Sequence, residues 1–302
     1  MSVETRDRPD WERDGHDWPH RAASRFVKAG GLTWHVQEFG PADAPVLLLL
    51  HGTGAANHSW RGLAPLLAGP FRVIAPDLPG HGFTDPLPAG TLSLPGMAKA
   101  VSALVQGLGV APAIVAGHSA GAAILARMCL DGMVAPRLFA AFNGALAPLP
   151  GAASFLFPSM ARLLFLNPFT PRLFAWTADS AAVRRLIEGT GSRLDPVGLD
   201  LYRRLFARAG HVRGALGMMA NWDLDRLHRD LPRLATRTLL IVGGDDKAIS
   251  PDTAFTLVKR LPDAQVKLVR GLGHLAHEEA PERVAEILLE EARALGIVSA
   301  PG

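Results

Sequence analysis

Six short apolar runs recur along the chain, at 46–50 (VLLLL), 71–77 (FRVIAPD), 113–117 (AIVAG), 137–143 (RLFAAFN), 238–244 (TLLIVGG) and 265–271 (QVKLVRG). Runs of this kind suit strands buried on both faces, because no regular alternation marks a solvated side. Helical patterns separate them, near 60–67, 94–108, 120–130, 251–260 and 281–295. Buried strands alternating with helices specify an α/β fold with a mostly parallel, doubly wound sheet. Residues 25–39, RFVKAGGLTWHVQEF, read instead as two strands turning at Gly30-Gly31, an antiparallel hairpin ahead of the parallel part.

One interval breaks the alternation. From Leu146 to Ala220 only helical apolar patterns occur, interrupted by Pro and Gly. Ordinary crossovers are much shorter, so the interval reads as a helical cap inserted between two strands. The expected organisation is an N-terminal extension over 1–23, a core formed by 24–145 and 221–298, and a cap over 146–220. With 48% hydrophobic residues in 302, one such body can bury a large core.

The charge balance is weak, +3, and its basic residues are scattered, which argues against nucleic-acid binding. Cys129 is the sole cysteine, so an internal disulfide framework is excluded and a reducing compartment is expected. The segment MSVETRDRPDWERDGHDWPH has no apolar leader region, and no run reaches the length of a membrane span. A cytoplasmic protein, at most peripheral to a membrane, is the expectation.

The chemistry concentrates at VAGHSAGAAI, residues 115–124. Ser119 stands between a buried strand and a helix starting near Ala120, inside G-x-S-x-G. A strand turning abruptly into a helix brings the flanking positions together, so Gly117 and Gly121 are needed where a side chain would collide. The serine is presented at the turn, and free N–H groups of the helix start point toward it. A serine that merely caps the helix is the bland alternative. A hydroxyl is a poor nucleophile near neutral pH, so a base and an orienting acid must lie elsewhere. The strand at 238–244 runs into GGDDKAISP, where Asp245 and Asp246 compete as acid; the strand at 265–271 runs into GLGHLAHEEAP, where His274 and, less suitably, His277 compete as base. Strand C-terminal ends share one rim of such a sheet, so these groups can meet Ser119. HGTGA (51–55) follows the VLLLL strand with small residues that let backbone approach an oxyanion; the N–H groups of Thr53 and Ala120 would form the hole. His51 reads as structural; His58, His81 and His118 read as loop-fixing hydrogen bonders. None has a metal-ligand spacing, so neither metal nor cofactor is expected.

Through HGTGA, DLPGHGFTD, GHSAG, GGDDKAISP and GLGHLAHEEAP the chain resembles the α/β-hydrolase superfamily over roughly 25–295. The resemblance implies the chain order Ser119, Asp246, His274 for a catalytic triad. The family pattern G-x-x-D-x-x-(V/I)-x-P, matched by Gly243, Asp246, Ile249 and Pro251, favours Asp246 over Asp245. Serine at the elbow is unlike the haloalkane dehalogenases and epoxide hydrolases, whose nucleophile there is Asp. Acyl transfer through a Ser119 ester, then hydrolysis, is the implied reaction.

A narrower resemblance rests on WPHRAASRFVKAGGLTWHVQEFG, HGTGAANHSWRGLAP, LSLPGMA, AGHSAGAAI, TGSRLDPVGLDLY and MMANWDL. These are similar to the magnesium-chelatase accessory hydrolases of bacteriochlorophyll synthesis. A porphyrin or magnesium-porphyrin ester as substrate, and association with magnesium chelatase, are what it implies. A non-catalytic porphyrin carrier and a general carboxylesterase or C–C hydrolase are the competing readings. The cap carries nine arginines, no lysine and four acids. Arginine suits planar carboxylates and aromatic faces, so Arg162 and Arg172, with Trp222 just beyond the cap, are candidate substrate contacts. Phe155, Phe157, Phe165, Phe169, Phe174, Trp176 and Phe206 could line a large flat pocket. Arginines that simply solvate the cap surface are the bland alternative.

Overall fold

A computed structural model describes residues 7–148, 167 and 169–299. Eight strands form one sheet: β1 (Ser24–Ala29), β2 (Leu32–Phe39), β3 (Val46–Leu50), β4 (Arg72–Pro76), β5 (Ile114–His118), β6 (Leu138–Phe142), β7 (Thr238–Gly243) and β8 (Ala264–Val269). Their order is β1-β2-β4-β3-β5-β6-β7-β8. β2 is antiparallel to both β1 and β4, and every later pairing is parallel. At the centre of the sheet β3 and β5 pair Leu47 with Ile114 and Leu50 with Gly117, so both strands end on the same rim.

The continuous apolar runs are explained by what covers the sheet. Leu48 and Leu50 of β3 pack on one face, and Leu47 and Leu49 on the other. All four are essentially inaccessible, each contributing about 1.5–3 kcal/mol by burial. Helices α1 (Leu94–Gly107) and α2 (Ala120–Leu130) cover the first face. Trp60, Leu63 and Leu67 cover the second, together with Val284 and Leu288 of the final helix, Pro281–Ala294. Ser93 caps α1 by accepting from the Gly96 amide, and Pro95 occupies its first turn, where no N–H is required.

Between β6 and β7 the described elements are helical: α3 (Thr170–Thr177), α4 (Ser180–Gly189), α5 (Pro196–Phe206), α6 (Ala209–Ala220), then a short helix, Asp225–Asp230. Asp179 and Asp195 cap α4 and α5 through their carboxylates. The arginine surplus of this interval meets the acidic N-terminal stretch. Arg172 pairs with Asp7 at 3.1 Å, Arg204 with Asp17 at 2.6 Å, and Arg208 with Asp14. Trp11 and Trp18 anchor that stretch, the Trp18 indole donating to Asn57 Oδ1 at 3.0 Å.

The rim beside the site is organised by Asp77, at the end of β4. Its buried carboxylate accepts from the amides of Asn57 (2.7 Å) and Phe83 (2.9 Å) and faces His35 Nδ1 at 2.8 Å. A methyl group on Gly82 would lie 2.1 Å from Asp77 Oδ2, and φ there is +49°, so glycine is required twice over. Burial opposes ionisation of Asp77, but His35 and the amide donors win and hold its carboxyl down at about 2, against an ordinary 3.8.

A folded value below the unfolded one means that the stabilisation is complete above pH 3.8 and is lost as pH falls toward about 2. Asp77→Asn should therefore cost about 2 kcal/mol at neutral pH and should flatten the acid side of the stability profile. Denaturant melts of both proteins at pH 7, 4 and 3 measure it; parallel acid slopes would be inconsistent with this role.

Candidate functional site

β5 ends at His118 and α2 begins at Ala120, leaving Ser119 alone in the connection with φ +49° and ψ −117°. Such a conformation is strained for a residue with a Cβ, at about 1–3 kcal/mol, and must be held by its surroundings. The Ser119 amide donates to Phe142 O at 3.1 Å, and its carbonyl accepts from Ala122 (3.2 Å) and Ala145 (3.0 Å). The flanking glycines have no room for more. A methyl on Gly117 would lie 2.5 Å from the Ala122 nitrogen, and one on Gly121 would lie 2.3 Å from Leu50 O. Gly52 of the HGTGA loop is pressed in as closely: a methyl there would be 2.7 Å from His118 Nδ1 and 3.1 Å from Ser119 Cβ.

The loops after β7 and β8 touch backbone to backbone. A methyl on Gly243 would lie 2.1 Å from Gly273 O, and the Asp245 amide donates to Leu272 O at 2.8 Å. It is Asp246, not Asp245, that faces His274, with Oδ2 2.8 Å from Nδ1. Oδ1 of Asp246 accepts from the amides of Ala248 (2.8 Å) and Ile249 (2.9 Å). This geometry makes Nδ1 of His274 the protonated nitrogen and leaves Nε2 as the acceptor. His118 donates from Nε2 to His274 O at 3.0 Å, tying the main chain of His274 to the residue before Ser119. Among the described residues no hydrogen bond joins the Ser119 hydroxyl to His274, so Asp246 and His274 meet while the serine contact stands open.

His277 is buried against Trp60 and His118, and neither of its ring nitrogens has a partner among the described residues. Burial pushes its imidazole down to about 3, so the ring is neutral near pH 7. His51 fixes a loop as expected, accepting from the Leu78 amide and donating to Gly52 O. His58 departs from expectation: both nitrogens lack partners among the described residues, and the ring instead packs edge-on against Trp18 and Tyr202.

Ala120 is the first residue of α2, so its amide has no intrahelical acceptor. The Thr53 amide likewise makes no backbone hydrogen bond among the described residues. Helices of the insertion lie directly on this loop. Phe206 is near Gly54, His211 Nε2 donates to Gly54 O at 3.0 Å, and the Thr53 hydroxyl is 3.6 Å from Met218 Sδ. Arg172 is engaged with Asp7 and, with Trp176 and Arg208, lines a surface cavity of about 230 Å³. Trp222 packs against the core, its buried indole N–H without a partner among the described residues. Arg162, Phe155, Phe157 and Phe165 lie outside the described residues.

Two polar groups here are not expected from sequence. Asn143, just past β6, sits at φ +45° and donates from Nδ2 to Asp246 Oδ2 at 2.7 Å. An asparagine at a strand end on the site rim tolerates left-handed backbone, and that is the available signal. The Glu278 side chain is fully buried and accepts from Arg61 (2.6 Å) and from the Tyr202 hydroxyl (2.7 Å), joining the main body to α5. Burial pushes its carboxyl up to about 7 against the pull of both donors. Nothing local in sequence marks a glutamate whose partners lie 76 and 217 residues away.

Known proteins share this architecture. Residues 47–287 match the model of the alpha/beta hydrolase family. The magnesium-chelatase 30 kDa subunit of Rhodobacter capsulatus is 41% identical over 275 residues, covering 91% of this chain and 96% of that protein. A putative lipase from Acinetobacter baumannii superposes with a TM-score of 0.76 at 21% identity, over 90% of this chain and 91% of that one. An epoxide hydrolase superposes equally well, at 0.76 and 21% identity, over 90% and 99% of the two chains. At such identities the structural matches speak to fold alone. The chain belongs to the α/β-hydrolase family.

Proposed function

We propose that the protein is a serine hydrolase whose Ser119 attacks the carbonyl of a large apolar ester. The observation that carries this reading is the 2.8 Å contact between His274 Nδ1 and Asp246 Oδ2 beside a serine held at positive φ. In the proposed reaction the Ser119 proton passes to His274 Nε2 as Oγ bonds to the carbonyl carbon, and Asp246 stabilises the imidazolium. The amides of Thr53 and Ala120 receive the oxyanion, an arrangement commonly worth about 3–4 kcal/mol. The alcohol leaves with the proton from His274; water then repeats the sequence and releases the acid.

Similarity to a protein named as a magnesium-chelatase subunit supports a tetrapyrrole-related ester and association with the chelatase. On this reading residues 146–220 act as a lid on the body formed by 24–145 and 221–298, and discrimination among esters falls to the lid, since the triad and hole act only on the reacting carbonyl. Arg172 and Arg162, with Trp222, would meet the ring or its carboxylates. Phe169, Leu173 and Trp176, spaced as one face of α3 and 72%, 60% and 84% exposed, offer apolar surface to a flat ligand or a bilayer. Among the described residues no helix is long and apolar enough to cross a membrane. The exposed apolar face suits a cytoplasmic enzyme that works peripherally at a membrane.

A second reading, a porphyrin carrier that does not turn its ligand over, draws on the relative's being named as a subunit and on the open contact between Ser119 and His274. Incubation with magnesium-porphyrin esters and with nitrophenyl esters separates the two. The enzyme reading expects hydrolysis by the native chain and almost none by Ser119→Ala. Loss from Ser119→Ala, Asp246→Asn or His274→Ala should scarcely deepen in double variants, because the three act as a unit. Equal binding with no turnover by either protein favours the carrier. Porphyrins with free carboxylates should bind Ser119→Ala more tightly than their full esters, by about 1.5–3 kcal/mol for a charge-assisted pair, and less in high salt. Fluorescence-quenching titrations read this difference; equal affinities would remove the tetrapyrrole and leave a general esterase or C–C hydrolase.

A further inference from the structure

The TGSRLD stretch, between α4 and α5, lies where the acid loop meets the base loop. Thr190 O accepts from the amide of Lys247, one residue past Asp246, at 3.0 Å, and from the amide of His274 at 3.4 Å. Ser192 is fully buried, and its hydroxyl oxygen accepts from the amide of Leu275, one residue past His274, at 2.7 Å. Gly191 lies between, at φ +87°, where a methyl group would be 2.0 Å from Asp245 O. A methyl on Gly273 would in turn lie 2.3 Å from the Gly191 carbonyl carbon. At Gly191 and Gly273 the main chains thus meet with no room for a side chain between them. Glu279 braces the junction from outside, accepting from the amides of Gly273 (2.9 Å) and Arg193 (3.0 Å).

We propose that Thr190, Gly191 and Ser192 are a positioning clasp, by which the inserted helices hold the Asp246 and His274 loops in register. The proposal rests on the reading of these two residues as an acid–base pair. The sheet by itself aligns the loops only to their roots: the β7–β8 ladder ends at Gly243 and Val269, and the Gly244-to-Val269 and Asp245-to-Leu272 bonds are the next ties. The reacting ends lie beyond it. There the main-chain donors of Lys247, His274 and Leu275 all turn to a single three-residue turn of the insertion. The insertion therefore does more than cover Ser119. Any lid movement that admits a ligand must leave this turn in place, or the acid and base separate.

The test uses the full chain. Ser192→Ala removes the acceptor for the Leu275 amide without adding an atom, and Ser192→Thr restores an oxygen. One readout is the far-downfield proton signal of the His274-to-Asp246 hydrogen bond, assigned by its absence from Asp246→Asn. The other is the rate at which a fluorophosphonate labels Ser119. With the fold verified by circular dichroism, Ser192→Ala should broaden or lose the downfield signal and slow labelling about tenfold to a hundredfold, the scale expected for a small misplacement of a reacting group. Ser192→Thr should recover both. A folded Ser192→Ala that keeps the native signal and labelling rate overturns the clasp. A native chain that shows the signal but takes no label refutes the hydrolase reading alone, and the signal in the variant still decides. Should Ser192→Ala fail to fold, amide exchange in the native chain decides: the Lys247 and Leu275 amides should be protected together, and rapid exchange of either overturns the proposal.

Discussion

The crossing of the start of α2 over the end of β3, as β5 turns into the helix, is the constraint on which the site depends. Gly121 approaches the carbonyls of Leu50 and His51 so closely that a single methyl group would lie 2.3 and 2.6 Å from them. That proximity brings the start of α2, the end of β3 and the HGTGA loop to one point. Ser119 is consequently held in backbone that its side chain disfavours, and the amides of Thr53 and Ala120 are left without partners among the described residues. Relaxing the crossing would relieve the strain, but it would also withdraw the donors. Packing of the sheet on both faces supplies the stability against which this local cost of about 1–3 kcal/mol is set.

The fold is legible because its determinants are local. VLLLL spans β3 residue for residue, and 120–130 spans α2, since a doubly buried strand and an alanine-rich helix leave their periodicities undiluted. The elbow is legible for a similar reason: glycines close to one serine have a steric meaning at short range. Legibility ends where pairing is long-range. Asn143 meets Asp246 across 103 residues, Ser192 meets Leu275 across 83, and Arg204 meets Asp17 across 187. In such cases no local pattern marks the pairing. The acidic N-terminal stretch illustrates the difference: it reads only as a charged segment, whereas its carboxylates pair with arginines on α3, α5 and the start of α6.

That pairing changes what the arginine surplus can do. Arg172, Arg204 and Arg208 each face an acid of the N-terminal stretch, and Arg203 faces Asp200 on its own helix. Exposed pairs of this kind are individually weak, about 0–1 kcal/mol, yet together they orient the stretch across the insertion. An anionic ligand approaching Arg172 would have to compete with Asp7. Recognition of a carboxylate there would consequently couple to the position of the N-terminal stretch, whereas Arg184, Arg185 and Arg213, which are exposed, carry no such competitor among the described residues.

Among the described residues the same pair occurs twice, a histidine Nδ1 facing an aspartate at 2.8 Å, and the two differ in what is left to the histidine. His35 and Asp77 are wholly inaccessible, and the far nitrogen of His35 is taken by the Ser24 hydroxyl at 3.0 Å. Both ring nitrogens there are committed, so the pair can only hold loops together. His274 and Asp246 lie at the rim, with the histidine side chain 10% exposed and its far nitrogen free of hydrogen bonds among the described residues. Around them His118 and His277 are held neutral by burial, His277 with its imidazole pushed down to about 3. Neutral rings add no positive charge beside His274, whose ring lies 4.7 Å from that of His118. His274 thus has one nitrogen held by a buried carboxylate and the other uncommitted among the described residues, which is its geometric difference from His35.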